Sequence, residues 1–226
     1  MTILYEDNHI IAVNKAVGEI VQADKTGDTT LADDIKAYIK HKYGKPGDVF
    51  LGVTHRLDRP TSGVVLFART SKALARLNDM FRSHNDIRKT YWAVVQGRPT
   101  LPQARLDNWL IRREQQNKSY IVKPGTPGAK EAILDYRTLV VGERYSLLEI
   151  NLLTGRHHQI RCQLADIGCP VKGDLKYGAK RTNPDGGISL HARQIQFIHP
   201  VKKIPLIIVA PTPANDNIWN LLIPQS

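Results

Sequence analysis

An α+β fold with a mixed, largely antiparallel central sheet flanked by helices and loops is what this sequence predicts, as a single domain over residues 1–226. Three observations predict it. Strand-like and helix-like segments intermix to the end of the chain, several strand pairs are separated by connections short enough for hairpins, and no internal repeat or low-complexity linker divides them. At 226 residues and 42% hydrophobic content the chain can bury a normal soluble core.

Taken in order, Ile3-Leu4-Tyr5 and His9 to Lys15 flank the turn residues Glu6-Asp7-Asn8 and read as a β-hairpin ending at Gly18, with Lys15 at the strand end. Thr30 with Asp33 three residues on forms a capping signal for a helix of about three turns, with Leu31, Ile35, Tyr38 and Ile39 on one face and Gly44 and Pro46 as the stop. Residues 45–54 read as a loop. The unbroken apolar run Val64 to Ala68 is a buried strand, and Ser71 opens a second helix with Leu74, Leu77 and Phe81 on one face. Arg88 to Val95 is a strand in which Tyr91 and Trp92 point to opposite faces. Residues 98–130, with several prolines and glycines around Arg112, Arg113 and Lys118, read as short strands joined by exposed basic loops. Residues 131–153 form a hairpin turning at Gly142-Glu143. Next comes a helix whose stripe is Ile160, Leu164 and Ile167, whose N-terminus holds Gly155, Arg156, His157 and His158, and whose stop is Gly168. A flexible basic loop follows, then a hairpin from Leu190 to Val209 around His199-Pro200, then a closing helix over 214–222.

The charge narrows the partner. A formal net charge of +11 implies an anionic partner, and nucleic acid leads. No segment approaches the roughly 18 apolar residues that span a bilayer, and no basic amphipathic helix stands out, so a membrane is not expected. The N-terminus lacks a basic region followed by an apolar core, which predicts no signal peptide and a cytoplasmic protein. Cys162 and Cys169 are too few for a disulfide framework and fit a reducing compartment. Together with His157 and His158 they raise the question of a metal site. Their spacing matches no familiar zinc pattern, so they read as buried thiols and no metal is expected.

Two stretches carry candidate chemistry. His55-Arg56-Leu57-Asp58-Arg59-Pro60-Thr61-Ser62-Gly63 places one carboxylate between two arginines and then turns into the buried strand. A carboxylate held there by flanking cations suits a nucleophile or base acting on an anionic substrate. On these nine residues alone a salt-bridged turn is the commoner explanation of such a pattern. The second stretch, Thr154 to Gly168, crowds cations and hydrogen-bonding groups at a helix N-terminus, which suits a phosphate or carboxylate, with a solvated helix end as the other reading.

Taken together these stretches resemble the RluA-type family of RNA pseudouridine synthases nearly end to end. His55 to Gly63 matches the family's active-site signature. Lys89-Thr90-Tyr91-Trp92-Ala93 looks like its tyrosine strand, Gly155 to Arg161 with Gly173-Asp174 and Tyr177-Gly178 like its third motif, and Leu190-His191-Ala192 like its last. Ala16 stands where the family usually has proline, and His157 where threonine is commonest.

The resemblance implies conversion of uridine in structured tRNA or rRNA to its C-glycoside isomer, without cofactor or metal. It implies Asp58 as the essential carboxylate, Tyr91 as the stacking partner of the flipped base, and Arg161 as the partner that keeps Asp58 ionised. Arg56 would occupy the space vacated by the base, and Leu190 would line the pocket. Arg59, Arg82, Arg112, Arg113, Lys172, Lys176 and Lys180 are candidates for the RNA phosphates, supplying affinity more than base identity. A monomer is expected. With the signature at residue 55 the chain leaves no room before it for the S4-type RNA-binding domain of many family members, so recognition would rest on the catalytic domain. A catalytically silent RNA-binding protein or chaperone on the same fold is the alternative, against which the intact Asp58, Tyr91 and Arg161 argue. A nuclease or hydrolase using His55, His158 or Ser62 would need a metal set or a nucleophile with base and orienter, and neither is spaced convincingly.

Overall fold

A computed structural model describes residues 1–23, 27–83, 86–214 and 216–222. The chain is α+β, as the mixed segment pattern predicts, and divides into two compact units: Met1–Ile87 with Ala192–Pro211, and Arg88–His191 with Thr212–Ser226. No helix among the described residues is long and apolar enough to cross a membrane.

In the first unit, β1 (Thr2–Glu6) pairs antiparallel with β2 (Ile10–Lys15), and β2 with β4 (Ser62–Ala68). β3 (Gly52–Val53) adds two residues to β4, so the expected loop 45–54 contains a strand. Gly52 permits this close passage, because a Cβ there would lie 2.7 Å from the Leu74 side chain. β4 neighbours β10 (Leu190–Ile198), which pairs antiparallel with β11 (Pro205–Val209). All seven residues of β4 are buried, which explains its unbroken apolar reading.

α1 (Leu31–Lys42) carries the complete capping box: the Thr30 hydroxyl accepts from the Asp33 amide, and the Asp33 carboxylate accepts from the Thr30 amide. Leu31, Ile35 and Ile39 are buried. Tyr38 sits at the edge of that face and donates to Glu6 at 2.9 Å. In α2 (Ser71–Ser83) the buried residues are Ala73 and Leu77, with Leu74 and Phe81 half-buried beside them. The Thr70 hydroxyl accepts from the Ala73 amide and begins that helix.

The strands of the second unit lie in the order β5-β9-β8-β6-β7: β5 (Ile87–Gln96), β6 (Gln103–Arg113), β7 (Lys118–Val122), β8 (Lys130–Val141) and β9 (Tyr145–Leu152). The pairs β5–β9, β8–β9, β6–β8 and β6–β7 are all antiparallel. Here the short-strand expectation for 98–130 needs correction, since β6 runs for eleven residues and pairs along both edges. Its alternation of exposed and half-buried positions gave no continuous apolar run to reveal its length.

α3 begins at Gln159 and ends at Asp166, later than the cationic stretch implies, because His158 adopts a left-handed conformation at φ 53° and the helix cannot extend back through it. α4 (Asn217–Leu222) packs Trp219 and Leu222 against Val94 and Leu147. Burying each such side chain contributes roughly 1.5–3 kcal/mol. The basic segment after α3 is packed rather than loose, with Asp174, Tyr177, Ala179, Asn183 and Ile188 all buried.

Candidate active site

In the first unit the signature loop is fastened at both ends. At its entrance the Thr54 hydroxyl donates to the Leu66 carbonyl at 2.5 Å, and the His55 ring accepts from the Leu66 amide at 3.1 Å while lying 4.8 Å from Phe81. The two residues that follow the β3–β4 ladder are thereby tied to the next stretch of β4. At its exit the Thr61 amide donates to the Asp58 carbonyl at 3.0 Å, closing a turn over Arg59-Pro60.

The exit is clamped by Lys15. Its side chain is 0% exposed, and its ammonium donates to the carbonyls of Ala16 at 3.0 Å, Arg59 at 3.1 Å and Thr61 at 2.7 Å. The Arg59 carbonyl also accepts from the Gly18 amide at 3.0 Å. Burial pushes the Lys15 ammonium down to about 8, opposed by the nearby charges of Glu19 and Asp58 and reinforced by Arg59. Three hydrogen bonds to neutral carbonyls satisfy the ammonium's donors without supplying a counter-charge. Gly63 completes the fastening. Its φ of +117° and the proximity of β10, where a Cβ would lie 2.7 Å from Ala192 Cα, leave no room for any side chain.

Between these anchors Asp58 is half-buried, Leu57 buried and Arg56 exposed. Arg59 pairs with Asp28 at 2.9 Å on the surface. The loop is therefore more than a salt-bridged turn: its backbone is held by the protein interior while Arg56 and Asp58 remain accessible.

In the second unit, Tyr91 lies on β5 opposite Ile150 and is buried, while Trp92 on the opposite face packs against the Trp219 cluster. Arg161 on α3 is 5% exposed. Its Nε and Nη2 donate to the two Asp174 carboxylate oxygens at 2.6 and 2.9 Å, a bidentate pair, and its guanidinium lies 5.2 Å from the Tyr177 ring. Gly173 makes room for this turn: with φ +91°, a Cβ there would come within 2.7 Å of the Gly187 carbonyl. Leu190 is buried at the start of β10.

His158 ends up inside this assembly. Burial, then the charges of Arg161, His157, Lys176 and Arg112, push its imidazole down to about 2, so it is neutral at any working pH. The Tyr177 hydroxyl accepts from the Ser119 amide at 2.8 Å and lies 3.1 Å from His158 Nδ1. The His157 and His158 rings stack at 3.7 Å. These histidines and Cys162, whose thiol burial pushes up to about 11, are built into the packing.

The expected RNA contacts separate into groups. Arg112 and Arg113 lie at the exposed end of β6, and Lys176 donates to the Gln116 and Asn117 carbonyls at the tip of the β6–β7 hairpin. Arg113 and Lys118 also lie over the Tyr120 ring, at 4.8 and 5.3 Å. Arg82 is exposed beside Asp79, and Lys180 is exposed. Lys172 is turned inward, donating to Asn183 at 2.7 Å and Asp216 at 3.3 Å.

Two residues of consequence were not given these roles by the sequence. A lysine closing an apolar strand carries no sign that three carbonyls will surround it, so the Lys15 clamp was invisible. Asp174 did carry a signal, as the one acid among Lys172, Lys176 and Lys180, and that signal is the ion pair with Arg161.

A family model described as RNA pseudouridylate synthase matches residues 9–166. The chain is 34% identical over 227 residues to ribosomal large subunit pseudouridine synthase D of Xylella fastidiosa, covering 94% of this chain and 66% of that protein. It is 33% identical over 244 residues to tRNA pseudouridine synthase C of Salmonella typhi, covering 100% and 89%. The solved structure of human RNA pseudouridylate synthase domain containing 4 superposes with a TM-score of 0.78 at 25% identity, covering 94% of this chain and 89% of that one. The chain spans 66% of the length of several of the curated relatives it matches.

Proposed function

We propose that this chain, which belongs to the RNA pseudouridylate synthase family of isomerases, converts uridine to pseudouridine in structured tRNA or rRNA, acting as a single catalytic domain and a cytoplasmic monomer. The observation that carries the reading is the family match over residues 9–166, which includes Asp58, Tyr91 and Arg161 and extends through relatives named for tRNA and for ribosomal RNA.

The reaction breaks the N1–C1′ bond and forms C5–C1′; C5 loses its proton and N1 gains one. Asp58 is the carboxylate that assists departure of the base. A half-buried acid on a loop anchored from both ends meets the positional demand of such chemistry. Tyr91 stacks on the extruded uracil, compensating part of the few kcal/mol that unstacking costs. Arg161 supplies a positive charge that no accessible pH removes. Arg56, exposed next to Asp58, fills the space the base leaves, and Leu190 supplies apolar lining. Arg112, Arg113 and Lys176 would make phosphate contacts, with Arg59, Arg82 and Lys180 as further surface cations. Lys172, engaged by Asp216 and Asn183, is the weakest member of that set.

Mapping pseudouridine across tRNA and rRNA with the gene present and deleted tests the function; at least one site is expected to vanish on deletion. Asp58→Asn should abolish turnover in the purified protein while RNA affinity stays within about tenfold, roughly 1.4 kcal/mol. Retained turnover would remove Asp58 from the mechanism.

A further inference from the structure

Lys89 precedes Tyr91 by two residues on β5, so the alternation of a strand puts both side chains on one face, roughly 6.6 Å apart along the chain. It is half-buried, and no carboxylate or carbonyl among the described residues takes a hydrogen bond from it. Lys15 has three carbonyl acceptors, while Lys42, Lys172 and Lys202 have carboxylates. Lys89 instead faces a second cation. Burial, then the charge of Arg156, lower its ammonium to about 8. Its Nζ stands 3.6 Å from where a Cβ of Gly155 would be, so backbone rather than a side chain covers it on that side. Arg156 is aimed by its own bond: Nε donates to the Glu131 carbonyl at 2.8 Å, and Nη1 and Nη2 have no acceptor among the described residues. Two neighbouring cations, partly desolvated and lacking an anion, are a costly arrangement that an arriving anion relieves.

We propose that Lys89 and Arg156 form a phosphate site for the RNA strand, binding a phosphate next to the base that Tyr91 stacks on. The inference rests on the proposed function for the identity of the strand. Lys89 acts as a point charge and Arg156 offers two parallel N–H groups to the phosphate oxygens. Neither belongs to the exposed basic groups described above, and burial makes this contact stronger than a surface one.

The test uses the full chain and unmodified total RNA from a deletion strain, with Lys89→Gln, Lys89→Arg and Arg156→Gln. Lys89→Gln should raise KM about tenfold or more while kcat stays within about twofold. It should also reduce the slope of log affinity against log salt by about 0.7–0.9. Lys89→Arg should restore both, and melting temperature should not fall in either variant, because a buried charge is being removed or kept. An unchanged KM and salt slope in Lys89→Gln overturns the site. So does a Lys89→Arg protein that binds normally but has lost turnover, since the amine would then take part in proton transfer. Absence of pseudouridine with the wild-type protein would instead sink the functional reading, and the salt slope would still decide whether Lys89 meets a phosphate.

Discussion

Lys15 in the first compact unit and Arg161 in the second are both cations sealed from solvent; Lys15 fastens the loop that bears Asp58, and Arg161 is itself a proposed catalytic residue. They are satisfied in opposite ways. Arg161 meets a buried carboxylate, Asp174, through two parallel hydrogen bonds. Lys15 meets three neutral carbonyls and, among the described residues, no carboxylate within hydrogen-bond reach. An arginine so paired keeps its charge at every accessible pH, whereas for a lysine hydrogen-bonded to dipoles the cost of burial outweighs the nearby charges of Glu19 and Asp58, which its lowered pKa expresses. One of these anchors can therefore be released by pH and the other cannot.

The largest expected effect comes from breaking the paired anchor. Asp174→Ala removes the buried carboxylate that accepts two hydrogen bonds from the Arg161 guanidinium, which should cost about 3–5 kcal/mol in a urea denaturation curve and abolish turnover. The double replacement Arg161→Met with Asp174→Leu should regain most of that stability and none of the activity. A loss below about 1 kcal/mol for Asp174→Ala would mean that Arg161 finds water or another acceptor, and the contrast with Lys15 would weaken.

That pair also shows how far the sequence could be read. Periodicity located β2, β4, α1 and α2 closely, because each pairs a strong apolar face with a cap or turn residue such as Thr30 or Gly44. It failed where apolar content did not set the structure: at β3, where Gly52 lets two residues slip beneath Leu74, and at the start of α3, where a left-handed His158 delays the helix. The signature loop was legible as charge in a turn, but its fastening was not. Lys15 lies more than forty residues from the carbonyls of Arg59 and Thr61, and its bonds to backbone oxygens leave no mark on residue type.

Removing the unpaired anchor should act on function more than on stability. Lys15→Met keeps the length of the side chain and its burial, exchanges a desolvated charge for apolar packing, and takes the lysine's hydrogen bond from the Thr61 carbonyl of the signature loop while leaving the Arg59 carbonyl its bond from the Gly18 amide. Turnover should fall by at least about tenfold, or 1.4 kcal/mol in the barrier, with the denaturation midpoint little changed. A subtler version needs no mutation. As pH rises through about 8 the ammonium loses a proton and keeps two N–H donors for three carbonyls, so turnover should decline from there. The folded pKa lies below the unfolded value of 10.5, so the unfolded chain binds more protons across that window and this group raises stability as pH increases. Activity falling while melting temperature holds is therefore the expected signature. A parallel fall in both would assign the effect to unfolding.

The smallest effect tests whether the first unit lacks carboxylate anchoring or lacks it only at the loop. Away from the loop, Asp7 accepts from the buried His199 ring at 2.9 Å, from Lys202 at 2.8 Å and from the His9 and Ile10 amides, joining the β1–β2 turn to the β10–β11 turn. His199 Nδ1 accepts from the Val201 and Lys202 amides, so the ring is neutral with its proton on Nε2. Burial lowers the His199 pKa from 6.5. Burial acts to raise the Asp7 carboxyl, but its hydrogen bonds with Lys202, His9 and Ile10 outweigh it and leave the group far below the usual carboxylate range. Both folded pKa values lie below the unfolded ones, so each group contributes stability above its unfolded pKa that is lost as pH falls, beginning near 6.5 for His199 and near 3.8 for Asp7. Melting temperature measured from pH 7 to pH 2 should decline in those two stages. Asp7→Asn, which keeps much of the hydrogen bonding and removes the charge, should flatten the lower stage and leave turnover near pH 7 unaffected. An unchanged lower stage would show that the carboxylates governing acid stability lie elsewhere.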